Sequence, residues 1–92
     1  MPQEVIDWDK LWLEELKCVC LKVWEKYKGS PGWYYEEKVE RVNSIKNPKD
    51  AYILINMFDS WNKKELYDRM SLEMRDYYHE YFVSMLENYD IL

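Results

Sequence analysis

The chain has 92 residues, of which 48% are hydrophobic and 17% are aromatic, and its formal net charge is -5. This length fits one small domain, which we predict to span residues 1–92, and the apolar content excludes a disordered tail. The net negative charge disfavours direct nucleic-acid binding, which needs clustered Lys and Arg.

The chain lacks an apolar run that could span a bilayer, and its first residues lack the basic and apolar regions of a signal peptide. We therefore expect a cytoplasmic protein without membrane contact. Cys18 and Cys20 point in different directions on a helix and cannot bridge each other, so we interpret them as reduced, semi-buried hydrophobic residues. The heavy use of Lys and Glu with no Thr suggests a thermophile or one of its mobile elements, whereas the Asn content points the other way.

The first helix is predicted over residues 5–28. Asp7 or Asp9 can cap its start, and Gly29 follows as a C-terminal cap. Its predicted core face steps by three and four residues through Trp8, Trp12, Leu16, Val19, Val23 and Tyr27. Cys20 and Trp24 widen this face, and Leu13 and Leu21 lie partly off it.

Two further helices are predicted over residues 31–46 and 48–61. Pro31 and Pro48 each suit a first helical position, behind Ser30 and Asn47 as caps. The helix over 31–46 has a single apolar stripe of Tyr35, Val39, Val42 and Ile45. The helix over 48–61 is the most apolar and should be the most buried. Residues 52–55 could also form a strand, but the chain offers no second strand to pair with it.

The last helix is predicted to run unbroken over residues 62–90, which completes an all-α bundle of four helices. Its apolar stripe consists of Leu66, Tyr67, Met70, Met74, Tyr77, Tyr78, Tyr81, Met85 and Tyr89. Such a helix would be about 42 Å long, more than the diameter of roughly 32 Å expected for a compact domain of this size. Either the helix breaks near Ser71, which is a competent cap, or another chain covers the overhanging stripe. We expect the second outcome, and with it a homodimer.

The same segment is acidic as well as aromatic. The bland interpretation is a solvated helix face, and the sharper one is a surface that docks on a basic partner. We predict an interaction surface made of Tyr67, Met74, Tyr77, Tyr78, Tyr81, Met85, Tyr89, Glu73, Asp76 and Glu80. The expected function is a non-enzymatic protein interaction module. It would act as an inhibitor or adaptor of a basic, nucleic-acid-handling protein, similar in style to small acidic helical inhibitors from phages and viruses.

Arg75 and His79 suggest an alternative function, that of an enzyme. With three residues between them, they resemble the Arg…His motif of HEPN-type ribonucleases, which usually have a slightly longer gap. The resemblance implies a small, all-helical dimeric enzyme in which Arg75 stabilises phosphate charge and His79 transfers a proton at the dimer cleft. Asp76 and His79 also have the carboxylate-x-x-His spacing of di-metal helical bundles, but those need a second such pair, which a chain with one histidine could supply only in a symmetric dimer. The simpler interpretation is a histidine that pairs with a neighbouring carboxylate. We therefore expect no metal and no cofactor.

Overall fold

The computed structural model describes the backbone of residues 7–32 and 34–90 and the side chains of residues 7–32 and 34–87. Within these ranges the chain is all-α, as predicted, and has no strand. The α-helices are α1 (Trp8–Trp24), α2 (Tyr35–Ser44), α3 (Ala51–Asn56), α4 (Ser60–Arg69), α5 (Leu72–Tyr77) and α6 (Val83–Asp90). Short 3-10 turns extend α1 (Glu25–Tyr27), precede α3 (Pro48–Asp50) and join α5 to α6 (His79–Tyr81).

The central element is α1, which packs against α2, α3 and α4. Its N-cap is Asp7, whose Oδ1 accepts a hydrogen bond from the Lys10 amide at 3.2 Å. The buried residues of α1 are Leu13, Leu16, Cys20, Val23 and Trp24. The predicted core face is confirmed at Leu16, Cys20, Val23 and Trp24. It is wrong at Trp8, which is exposed, whereas Leu13, which was placed off this face, is buried. Residues 5 and 6 of the predicted helix lie outside the described residues.

The start of α2 differs from the prediction. Gly32 and Tyr34 have φ angles of 98° and 52°, so the chain turns there and the helix begins at Tyr35 rather than at Pro31. The predicted stripe is confirmed at Val42 and Ile45, which are buried.

The cap predicted for the third helix is confirmed. Asn47 Oδ1 accepts a hydrogen bond from the Lys49 amide at 3.0 Å, with Pro48 at the first position of the 3-10 turn. The helix ends at Asn56 rather than at residue 61, because Asp59 caps the next helix through the Asn62 amide at 2.9 Å. Leu54 and Ile55 lie fully buried in the core.

The predicted unbroken helix over residues 62–90 is wrong, because the segment forms α4, α5, a 3-10 turn and α6. Met70 is extended, and the Ser71 hydroxyl caps α5 by accepting a hydrogen bond from the Met74 amide at 3.2 Å. A second change of direction follows at Tyr78, where α5 ends.

These breaks let the segment fold back on its own chain. Its buried residues are Leu66, Met70, Met74, Tyr78, Phe82 and Met85, and all of them join the core cluster formed with α1, α2 and α3. Burial of these side chains within one chain favours the broken path over a straight rod. The described part of the segment therefore presents no overhanging stripe for a second chain to cover.

Polar contacts fix α4 against the end of α1. Asn62 is buried, and its Nδ2 donates to the Tyr27 hydroxyl at 2.9 Å, which supplies the partner that a buried amide requires. Glu65 accepts hydrogen bonds from Lys26 Nζ at 2.8 Å and from Arg69 Nε at 3.1 Å. The hydrogen bond from Lys26 is the main cause of a lowered pKa at Glu65, with a further contribution from Arg69.

Candidate functional site

A row of aromatic rings crosses the contact between α1 and α5. The ring centroids of Trp8 and Trp12 are 6.4 Å apart, and those of Trp12 and Tyr77 are 5.9 Å apart. Tyr77 then meets Tyr78 edge to face at 4.8 Å, and Tyr78 meets Tyr81 at 6.1 Å. We call these five residues the aromatic patch.

The patch has an exposed layer and a supporting layer. Trp8, Tyr77 and Tyr81 have exposed fractions of 57%, 41% and 37%, whereas Tyr78 is 3% exposed and Trp12 is half-buried. Burial raises the pKa of the Tyr78 phenol well above its ordinary value, with smaller contributions from Tyr81, Asp9 and Cys20. Tyr78 therefore remains neutral at physiological pH and acts as an anchor for the rings beside it.

Local sequence explains why these rings meet. The Asp7 cap places Trp8 and Trp12 one turn apart at the start of α1, where residues four apart share a face. The 3-10 turn His79–Tyr81 follows the end of α5 and brings Tyr81 to the same side as Tyr78. Tyr77 Oη donates a hydrogen bond to Asp9, which joins the two parts of the patch.

The patch lies where the negative charge of the chain is concentrated. Residues 7–15 and 73–80, the acidic segments, carry seven carboxylates against Lys10 and Arg75 only. The combined net charge of the two segments is -5, which equals the net charge of the whole chain. The remaining residues therefore balance, with eleven charges of each sign.

The structure shows that the residues of the predicted interaction surface differ in burial. Glu73, Asp76, Tyr77, Glu80 and Tyr81 are exposed, as the prediction requires.

A second group lies inside the molecule. Met74, Tyr78 and Met85 are buried in the core, so they do not present themselves to a partner. Tyr67 is half-buried against the Phe82 ring at 5.2 Å. The side chain of Tyr89 lies outside the described residues.

The exposure of Trp8 was missed by sequence reasoning. Trp8 was assigned to the core because it shares helical spacing with Leu16 and Val23. The informative signal was Leu13, which has the same spacing to Leu16 and Cys20 and competes with Trp8 for the buried face.

Arg75 has a structural role. Its Nε donates to the Tyr67 carbonyl and one terminal nitrogen donates to the Asp68 carbonyl, each at 2.9 Å, and the guanidinium lies 4.8 Å from the Tyr67 ring centroid. The side chain thus caps the carboxyl end of α4 and holds it against α5. His79 is exposed on the following 3-10 turn.

The two thiols differ in environment. Cys18 is exposed on α1 and Cys20 is buried, and both are free. Burial raises the pKa of the Cys20 thiol to about 12, so it is un-ionised and unreactive at neutral pH.

Within residues 7–32 and 34–87, no group of three or more His, Cys, Asp or Glu side chains is placed to hold a metal ion. In the part of the chain that the structure describes, none of the helices combines the length and apolarity that a membrane crossing requires.

No protein-family model matches the chain, and no similar curated protein or solved structure was found. Because no relative lends a function, the chemistry of the aromatic patch and its carboxylates is what indicates one.

Proposed function

We propose that the protein is a non-enzymatic interaction module whose aromatic patch and acidic segments dock on a basic surface of another protein. The strongest support is that exposed aromatic rings and the excess negative charge occupy the same part of the molecule. The exposed rings of Trp8, Tyr77 and Tyr81 lie where two segments with the entire net charge of the chain meet.

The rings suit a protein interface. Trp and Tyr are the residue types in which the binding energy of interfaces is concentrated. Trp12 packs on both Trp8 and Tyr77, and Tyr78 packs on both Tyr77 and Tyr81. Because neighbours already restrict the exposed rings, ordering them on binding costs less conformational entropy.

The charge indicates the kind of partner. A surface with a large excess of carboxylates attracts a basic surface over roughly a Debye length, about 8 Å at physiological ionic strength. The same charge repels the phosphates of nucleic acid and opposes contact with the equivalent surface of a second copy. The homodimer predicted from the sequence therefore stays a prediction and is not part of this proposal.

A protein that handles nucleic acid is the class of partner that fits best, because its binding surface is basic. A module that occupies this surface with carboxylates and phenols acts as an inhibitor or adaptor of that protein. The module would compete with nucleic acid for this protein, because both require the same Lys and Arg side chains.

Two exposed tryptophans provide a matched test. Trp8 belongs to the aromatic patch, whereas Trp61 lies on α4 outside it and is 85% exposed. The tagged chain and its Trp8→Ala and Trp61→Ala variants are used to capture proteins from cells of the source after mild cross-linking. We expect a basic protein whose capture falls about tenfold or more with Trp8→Ala and stays unchanged with Trp61→Ala.

Salt supplies the second criterion. Raising the ionic strength from about 0.15 M to about 0.5 M should release the captured protein, because the shorter Debye length screens exposed charges. Capture that depends on Trp61 rather than Trp8, or that resists salt and involves an acidic protein, would contradict the proposal.

A further inference from the structure

We infer that the exposed rings of the aromatic patch recognise arginine side chains of the partner. This inference rests on the proposed function and specifies its chemistry. It concerns what the exposed rings select, whereas the proposed function needs only that they dock on a basic protein.

The guanidinium group of arginine has two features that suit the patch. Its flat face stacks on aromatic rings, and its N–H groups point outward in the plane, where they can donate to oxygen acceptors. The patch offers both features, because the exposed rings of Trp8, Tyr77 and Tyr81 belong to the segments that carry the carboxylates, and Asp9 accepts a hydrogen bond from Tyr77. Asp76 and Glu80 each precede one of the exposed tyrosines and are themselves exposed.

The chain itself contains one contact between an arginine and an aromatic ring. Arg75 lies over the Tyr67 ring at 4.8 Å while its nitrogens donate to two backbone carbonyls at 2.9 Å. This contact combines a ring face with acceptors in the guanidinium plane. A partner's arginine on the patch would repeat the arrangement, with carboxylates in place of carbonyls as stronger acceptors.

A lysine-rich segment has the same charge and provides the discriminating comparison. The ammonium group is a compact, strongly hydrated point charge and cannot stack or donate in a planar fork. If only charge matters, Arg and Lys segments should bind equally well. If the rings and carboxylates act together as inferred, arginine should bind more tightly.

The experiment measures binding of two synthetic peptides, Arg-Ser-Arg-Ser-Arg and Lys-Ser-Lys-Ser-Lys, to the full chain by NMR titration in about 0.15 M salt, near physiological ionic strength. We expect the arginine peptide to bind about fivefold more tightly. Trp8→Ala and Tyr81→Ala should each weaken it by about threefold or more, and Trp61→Ala should leave it unchanged. Because the replaced side chains are exposed, the variants should remain folded, which the NMR spectra verify.

Three results would overturn the inference: equal affinity for both peptides, no detectable binding of the arginine peptide, or binding that is insensitive to Trp8→Ala. None of them removes the proposed function if the Trp8-dependent capture of a basic protein is observed. Conversely, loss of that capture result would reject the proposed function even if the isolated peptide binds.

Discussion

Tyr77 on α5 donates its phenol hydrogen bond to Asp9 on α1, across a separation of 68 positions in the chain. The Tyr77 ring also packs 5.9 Å from Trp12, so one residue supplies both the polar and the apolar link between the two halves of the aromatic patch. The patch is therefore a product of the fold and exists only when α1 and α5 are docked.

Tyr77→Phe should separate these two links. The substitution keeps the ring and removes the hydroxyl, so we expect a loss of about 1 kcal/mol in the free energy of unfolding, because the bond is partly exposed to water. Urea denaturation measures the effect, with Tyr52→Phe on α3 as the control at another exposed tyrosine. Equal changes for the two variants would show that the hydrogen bond to Asp9 does not stabilise the docking of α5.

Ser71→Ala tests the break between α4 and α5 by the sign of its effect. Because the Ser71 hydroxyl caps α5 at the Met74 amide, its removal should destabilise the protein by about 1 kcal/mol. In a continuous helix the same change would stabilise, since alanine is the better helix former. Ser84→Ala, at an exposed position within α6, is the control and should be neutral or slightly stabilising. Increased stability of Ser71→Ala in thermal or urea denaturation would contradict the observed break.

Leu54→Ala tests the position of the core. Leu54 is fully buried on α3, so its truncation should lower the free energy of unfolding by about 2–5 kcal/mol, which is a large share of the stability of a small domain. Glu36→Ala on the exposed side of α2 should change it by less than about 0.5 kcal/mol. Similar melting temperatures for the two variants would show that the burial assignment is wrong.

The Cys20 thiol predicts a dependence of stability on alkaline pH. Its pKa is about 12 in the folded chain, against an ordinary value of 9.0. Between these values the unfolded chain binds fewer protons than the folded one, so stability should fall as pH rises from 9.0 to about 12. Tyr78 shifts in the same direction, and the difference between the wild type and Cys20→Ala isolates the thiol.

Urea denaturation at several pH values, with Cys18→Ala as the control at the exposed thiol, measures this difference. We expect Cys20→Ala to show the shallower pH dependence and Cys18→Ala to follow the wild type. The same slope for all three chains would mean that Cys20 is not buried as an un-ionised thiol.

Local signals predicted the features that short-range chemistry determines. The cap of Asn47 and the stripe of α2 follow from side chains within a few residues, and both are observed. The start of the buried face of α1 could not be obtained in this way. Trp8 and Leu13 both have helical spacing to Leu16, and only the packing of the neighbouring helices determines that Leu13 is the buried one.

The path of the last thirty residues shows the same limit. Ser71 was recognised as a possible cap, but a serine is compatible with either a break or a continuous helix. Around Tyr78 the sequence has neither Gly nor Pro, so no helix-breaking residue predicts the end of α5. The gain from burying Met74, Tyr78 and Phe82 in the same chain decides the path, and it depends on residues distant in sequence. As a result the exposure of Tyr77 and Tyr81 agrees with the prediction, whereas the exposure of Trp8 does not.

Oxidative footprinting tests the docking surface most directly. The chain is exposed to hydroxyl radicals alone and with its captured basic partner, and oxidation at Trp8 is compared with oxidation at Trp61. Docking through the aromatic patch predicts that the partner protects Trp8 and leaves Trp61 as reactive as in the isolated chain. Protection of Trp61 with Trp8 still fully reactive would contradict it and place the partner on another face of the molecule.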